Sequence, residues 1–208
     1  SGRLSKLDSD GYVDRARVDM DSYFLQAAYK DENTLIKALL FGGNQLTYQA
    51  WYGIDAQTLQ ENRTFNFAGA YTDENGIDQF YENETDNYKQ DHAQLLWNET
   101  WNTRWSTNFA LHYTRGRGYF EQFKEDDDFE TYGFTPIEVD GAEVNTTDVI
   151  RRRWLDNDFY GTVFSANYKD ENIDFIVGGG LNNYVGDHFG EIIWARFAGN
   201  SNIRDRYY

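Results

Sequence analysis

Cysteine is absent from the 208-residue chain, and proline occurs only once. Without cysteine the protein can form no disulfide, no thiolate nucleophile and no cysteine-ligated metal site. No Ser-His-Asp arrangement and no pair of carboxylates has a spacing that indicates catalysis. We therefore predict that the protein is not an enzyme, and we predict no metal site and no cofactor.

Basic residues are few, and long apolar runs are missing. The chain has 19 Lys and Arg against 35 Asp and Glu, which gives a formal net charge of −16. This balance argues against nucleic acid as a partner, because binding to phosphates depends on Lys and Arg. No stretch reaches the roughly 18 consecutive apolar residues of a membrane-spanning helix, so the sequence predicts none.

Aromatic residues are abundant, at 18% of the chain, and many of them fall in alternating patterns. From Trp105 to Tyr113, apolar residues such as Phe109 alternate with polar residues such as Asn108. A period of two indicates a β-strand with one apolar face and one polar face. The same pattern predicts further strands over residues 19–29, 34–42, 91–101, 160–168 and 173–182.

Short polar turns join these strands in pairs. The sequence Tyr-Lys-Asp-Glu-Asn occurs at 29–33 and again at 168–172, and Trp-Asn-Thr-Arg-Trp occupies 101–105. Connections this short force antiparallel hairpins, so we expect three hairpins and about six strands. The remaining connections are long, at approximately 43–90 and 115–157. Loops of that length usually serve a function.

Aromatic rings bracket the apolar face of the predicted strands at both ends. Those near the turns are Tyr29, Trp101, Trp105 and Tyr168, and those at the far ends are Tyr23, Tyr113 and Tyr160. The step from Trp105 to Tyr113 spans about 26 Å along a strand, or about 20 Å of height after a tilt of about 40°. This height is close to the apolar band of an outer-membrane barrel. The expected fold is all-β, a segment of an antiparallel up-and-down transmembrane β-barrel with long extracellular loops.

Several stretches resemble the sequences of TonB-dependent outer-membrane receptors of the iron-complex type. They lie at residues 3–5, 9–15, 47–53, 152–161 and 186–194. The resemblance implies a 22-stranded barrel filled by a plug. Residues 1–208 would then form part of one barrel domain from the middle of the barrel. We expect the plug, the remaining strands and the segment that contacts TonB to be absent from this sequence.

The resemblance also implies a function and a location. The protein would belong to the outer membrane of a Gram-negative cell and would take part in energised uptake of a ferric siderophore or a similar iron complex. Its partners would be that small molecule, outer-membrane lipid and, through regions missing here, the TonB complex. Two other functions fit the same strands: a soluble secreted all-β module that binds glycans, and a passive porin-like channel.

Seven aromatic residues in or beside the predicted loops form the candidate ligand-binding set. They are Trp51, Tyr52, Tyr81, Tyr119, Phe120, Trp154 and Trp194. Aromatic faces can stack on catecholate or sugar rings. The same rings could instead pack the loops against one another.

Three groups of polar residues each allow a functional and a structural interpretation. The carboxylates of Glu125–Asp128 could bind calcium or could belong to a solvated loop. His92 and His112 could form a metal pair, although hydrogen bonding inside the polar face explains them more simply. The run Arg151–Arg153 could contact lipopolysaccharide phosphates or could neutralise acidic neighbours.

Overall fold

A computed structural model of the protein describes residues 1–197 and 206–208. Strands dominate these residues, together with one short α-helix and one 3₁₀ turn at Phe129–Tyr132. The elements are β1 (Gly2–Ser9), β2 (Val18–Lys30), β3 (Thr34–Tyr48), α1 (Ala56–Glu61), β4 (Ala70–Thr72), β5 (Asp78–Phe80), β6 (Thr85–Thr100), β7 (Trp105–Asp128), β8 (Ile137–Val139), β9 (Ala142–Val144), β10 (Thr146–Lys169) and β11 (Asp174–Ala195).

The long strands form one antiparallel sheet of seven strands in the order β1-β2-β3-β6-β7-β10-β11. This confirms the all-β prediction and the three hairpins, but the prediction of six strands is wrong. Strand β1 is the additional one and pairs with β2 from Gly2 opposite Leu25 to Ser9 opposite Val18. Polar residues outnumber apolar ones in β1, which hides its strand character in the sequence. The sheet is open, with β1 and β11 at its two edges, and does not close into a barrel.

The same arrangement of side-chain-to-backbone hydrogen bonds forms all three predicted turns. In the first turn, the Asp31 carboxylate accepts the backbone N–H groups of Asn33 and Thr34 at 2.9 and 2.8 Å. Asp170 repeats this pattern in the third hairpin, at 2.9 Å for both donors. In the middle turn the amide oxygen of Asn102 takes the same role, at 2.9 and 3.0 Å. Asp and Asn favour such turns because their side chains reach backbone donors two and three residues onward.

The long connections are shorter than the sequence predicted and contain secondary structure. Strands continue through much of 43–90 and 115–157, so the connections shrink to residues 49–84 and 129–145. These extensions are not evident from the sequence because apolar alternation stops there. Charged cross-strand pairs such as Arg115 opposite Asp158 replace it. The first connection carries α1 and the β4–β5 hairpin, and the second carries the 3₁₀ turn and the β8–β9 hairpin.

Most of the buried residues lie at the end of the sheet that carries these connections, which we call the loop end. A small apolar cluster there consists of Tyr132, Val149 and Ala195, with Phe134 and Ile192 packed against it. Among residues 1–197 and 206–208, no helix has the length and apolar character needed to cross a membrane.

Candidate functional site

One face of the sheet, between the turns and the row of Tyr113 and Tyr160, carries an apolar surface that we call the apolar band. Cross-strand registers place its side chains in continuous rows. One row runs through Tyr29, Ile36, Trp97, Phe109 and Phe164. All five side chains are exposed in the isolated sheet, with Phe164 at 48%. Leu111, elsewhere in the band, is 44% exposed. Large contiguous apolar surfaces are uncommon on soluble monomers and mark sites of contact with protein or membrane.

The opposite face of the same strands is polar and forms hydrogen bonds with itself. The Asn98 amide donates to the oxygen of Asn108 at 2.5 Å, and Asn108 donates to the Ser165 hydroxyl at 3.0 Å. One row closer to the turns, Asn167 donates to Ser106 at 3.3 Å. The two faces therefore differ sharply in chemistry, as the alternation in the sequence predicted.

Rings at both ends of the apolar band direct their polar atoms away from its centre. At the turn side, the hydroxyls of Tyr29 and Tyr168 donate to Asp31 at 3.0 Å and Asp170 at 2.7 Å, one residue beyond the strand end in each case. At the far side, Tyr113 donates to Asp158 at 2.5 Å. Tyr and Trp favour the interfaces of a membrane for this reason, since the ring is apolar and its tip is polar.

A group of paired charges begins directly beyond Tyr113 on the same face, and we call it the charged collar. The Arg115 guanidinium bridges two carboxylates, Asp158 at 2.7 Å and Asp156. The Arg117 side chain also contacts Asp156, at 3.2 Å. Such half-exposed ion pairs contribute little to stability. Their position matters more, because it marks where the apolar surface ends.

Buried charged groups connect the strands at the loop end. The Glu121 side chain is 3% exposed and accepts hydrogen bonds from Tyr81 at 2.6 Å and Arg152 at 2.5 Å. The Arg151 side chain reaches in the other direction, where it donates to Gln122 and to the Tyr132 hydroxyl, both at 3.2 Å. Buried charges need partners of this kind to offset the loss of water.

A second buried carboxyl, that of Glu84, lacks a cationic partner within salt-bridge distance among the described residues. The side chain is 3% exposed, and its carboxyl oxygen accepts the backbone N–H of Phe123 at 3.0 Å. Burial raises the pKa of Glu84 to about 7, an effect that the Phe123 N–H and the charges of Lys124 and Arg151 oppose. The group therefore changes its charge near neutral pH and lies where the 49–84 connection joins β6.

Two of the predicted ligand-binding rings form an exposed pair. Trp51 and Tyr52 stack with their ring centroids 4.3 Å apart and remain 66% and 45% exposed. The Tyr52 hydroxyl accepts a hydrogen bond from Gln122 at 3.4 Å, which ties the pair to β7. An exposed pair of aromatic faces at the loop end is available to stack on a flat ligand.

Two other predicted rings, Tyr119 and Trp154, belong to an aromatic row above the charged collar. Their centroids lie 4.6 Å apart, and Trp154 also stacks on Phe189 at 5.8 Å. The indole N–H of Trp154 donates to Glu191 at 2.9 Å, and the Arg152 guanidinium lies 4.2 Å from the Tyr119 ring. These contacts occupy the two rings in packing across β7, β10 and β11.

The remaining predicted rings do not join either group. Tyr81 donates to Glu121, and burial together with this hydrogen bond raises its pKa. Phe120 neighbours Tyr119 in β7, so its side chain lies on the opposite face of the sheet. Trp194 pairs with Ile150 near the end of β11 and is 37% exposed.

The polar candidates of the sequence are largely engaged by neighbouring residues. Among the described residues, no group of three or more metal-ligating side chains is placed to hold a metal ion. His92 stacks on Phe41 at 4.4 Å, and its ring nitrogen lies 2.9 Å from the Thr114 hydroxyl. In the acidic run, Asp127 accepts a hydrogen bond from Tyr132 at 2.5 Å. Arg151 and Arg152 pair with Asp127 and Glu121, as the neutralising interpretation expected. Arg153 instead lies over the Tyr208 ring, 5.8 Å from its centroid.

The burial of the polar residues Gln49, Asn66 and Glu84 is not evident from the sequence. Each lies in or beside the 49–84 connection, where no periodic pattern distinguishes a buried position from an exposed one. The sequence Asp10-Gly11 was a usable turn signal for the 10–17 connection, in which Gly11 adopts a positive φ of 75°.

Comparisons with known proteins identify no relative of this chain. No family model matches it, no curated protein matches it, and no solved structure matches it.

Proposed function

We propose that the chain forms part of the wall of an outer-membrane β-barrel that serves as an uptake receptor for an iron complex such as a ferric siderophore. The observation that carries this proposal is the apolar band. Its expected height of about 20 Å is close to the apolar band of roughly 25 Å in such barrels. Rings bracket it at both ends, and paired charges follow it. Outer-membrane lipid would cover the band in the Gram-negative outer membrane.

The open sheet edges support the same proposal. Edge strands expose unpaired backbone N–H and C=O groups, which cannot remain unpaired in hydrocarbon. Strands β1 and β11 would therefore pair with further strands to complete a barrel. The polar face, with its amide and hydroxyl ladder, would line the interior.

The exposed Trp51–Tyr52 pair supports ligand contact at the loop end. To test this, the ferric complex of a catecholate siderophore is titrated into the chain in detergent micelles, and tryptophan fluorescence is recorded. Substitution Trp51→Ala is expected to weaken binding about tenfold, close to the loss of one good stacking contact. The matched control is Trp101→Ala, since this exposed ring lies at the opposite, turn end of the sheet. Equal affinities of the two variants would contradict the proposal.

A glycan-binding module is the second candidate, because an exposed aromatic pair also suits sugar rings. The two functions differ in their need for lipid. A chain that stays monomeric in plain buffer and binds an oligosaccharide through Trp51 would support the glycan-binding module over the receptor.

A further inference from the structure

A cavity of about 570 Å³ opens at the loop end, between the 10–17 connection and the 49–84 connection. Both connections contribute to its wall, so the cavity exists only where these two segments meet. Its lining residues are Asp10, Arg15, Arg17, Tyr48, Phe80 and Glu82.

The Arg15 guanidinium is fixed in the wall of this cavity and has no carboxylate partner among the described residues. Its central carbon lies 3.6 Å from the centroid of the Phe80 ring and 5.7 Å from that of Tyr48. One of its terminal nitrogens donates to the backbone oxygen of Asn66. In the part of the chain that the structure describes, its Nε is buried and has no hydrogen-bond partner. Aromatic stacking holds the cation in place but leaves donors in its plane unused.

A second arginine, Arg17, lines the same cavity and likewise lacks a salt-bridge partner among the described residues. Arg17 donates to the backbone oxygen of Glu82 at 3.2 Å. Within residues 1–197 and 206–208, neither Arg15 nor Arg17 forms a salt bridge. Two guanidinium groups that lack a carboxylate partner among these residues are unexpected in one cavity of a chain with a net charge of −16.

The backbone at Arg15 is held in a conformation that a non-glycine residue rarely adopts. Its φ is +62°, in the left-handed region. Neighbouring contacts impose this conformation: the Asp14 N–H donates to the Thr64 oxygen at 2.7 Å, and the Asn66 amide donates to the Asp14 oxygen at 3.1 Å. Strained backbone conformations that surrounding contacts hold in place are found mainly at functional sites.

The two carboxylates of the cavity differ from the arginines in their freedom to move. Asp10 and Glu82 are exposed, and their side chains make no hydrogen bond or ion pair to described residues. They can rotate toward solvent, whereas the Arg15 side chain is fixed on Phe80. The fixed charge of the cavity is therefore positive.

From this geometry we propose that the cavity is a binding site for a small oxyanion, either an organic carboxylate or a phosphate. Arg15 binds the anion through the terminal N–H groups of its guanidinium, because a planar fork of donors matches carboxylate and phosphate oxygens. Arg17 adds a second positive charge from the rim. The site does not include residues of the apolar band, so the anion-binding proposal can be tested independently of the membrane proposal.

The test is isothermal titration of the whole chain in detergent micelles with two probes, citrate and inorganic phosphate. We expect one of them to bind, and the one that binds identifies the anion class. Substitution Arg15→Gln is expected to weaken that binding at least tenfold, and Arg17→Gln by a smaller factor. Glu82→Gln is expected to strengthen it two- to threefold, since it removes a negative charge from the rim.

Two variants separate binding from folding. Arg63→Gln is the matched control, because Arg63 is an exposed arginine of the same 49–84 connection and makes no salt bridge among the described residues; its affinity should match wild type. Arg15→Gly fits the positive φ without strain. It should retain the melting temperature and lose the binding. No binding of either probe, or equal affinities in wild type, Arg15→Gln and Arg15→Gly, would overturn the proposal.

Discussion

The two ends of the sheet are stabilised in different ways. In the apolar band none of the residues is buried by the protein itself, and rings such as Phe109 and Phe164 stay exposed. At the loop end, Phe129, Val149 and Glu121 are nearly inaccessible to solvent. The loop end therefore has a small core of its own, whereas the band depends on its surroundings. This contrast predicts that changes at the two ends will respond differently to the solvent.

The largest effect is expected from the loop-end core. Phe129 is 2% exposed and packs edge-to-face on Phe134 at 5.6 Å. Substitution Phe129→Ala should lower the free energy of local unfolding by about 3–5 kcal/mol through lost burial and the cavity left behind. Hydrogen exchange of residues 129–145 measures this loss, which should be equal in detergent and in lipid vesicles. The control is Phe67→Ala, because Phe67 is exposed. If Phe67→Ala lowers the free energy of local unfolding as much as Phe129→Ala does, the contrast between a buried core and exposed residues is contradicted.

The band should respond to a charge only on its apolar face. Leu111→Arg places a cation at its centre and should cost about 2–4 kcal/mol in a bilayer. Gln94→Arg is the matched control, because Gln94 lies in the adjacent strand on the polar face and should cost about 1 kcal/mol or less. Denaturant titrations of vesicle-folded protein measure both. Equal costs would show that the two faces meet the same environment.

The loop end should also respond to pH through Glu84. Because burial raises the pKa of its carboxyl to about 7, the native state favours the protonated form. The associated stability is complete below the ordinary pKa of the group and is lost as pH rises through 7. After correction for intrinsic rates, amides of 49–84 should exchange faster at pH 8.5 than at pH 5.5. Glu84→Gln should abolish the difference and the exposed Glu61→Gln should retain it; the same pH response in Glu84→Gln would rule out this carboxyl as its source.

The smallest effect is expected at the turns. Hydrogen bonds from backbone N–H groups and from Tyr29 lower the pKa of Asp31, so its stabilising effect is lost as pH falls through that lowered value. Asp31→Asn should keep the turn, since Asn102 performs the same role in the middle hairpin. Asp31→Ala should lower the melting temperature measurably. A lower melting temperature for Asp31→Asn than for Asp31→Ala would show that the carbonyl acceptor is not what forms this turn.

The regular alternation of apolar and polar residues made much of the band predictable from the sequence. The structure of the loop end was not predictable, because no such alternation occurs there. Alternation from Trp105 to Tyr113 and the turn at 29–33 predicted strands, faces and hairpins that the structure confirms. The loop end could not be predicted in this way. The burial of Glu84 and the stacking of Arg15 on Phe80 depend on contacts between residues far apart in sequence, which no local period records.

The orientation of the apolar band is the central claim, and the absence of cysteine allows it to be tested directly. Single cysteines introduced as Phe109→Cys and Asn108→Cys carry an environment-sensitive fluorophore on opposite faces of the same strand. In vesicles that contain lipids brominated on their acyl chains, we predict strong quenching of the label at 109 and little quenching at 108. Equal quenching at the two positions, or none at 109, would contradict a membrane-facing band.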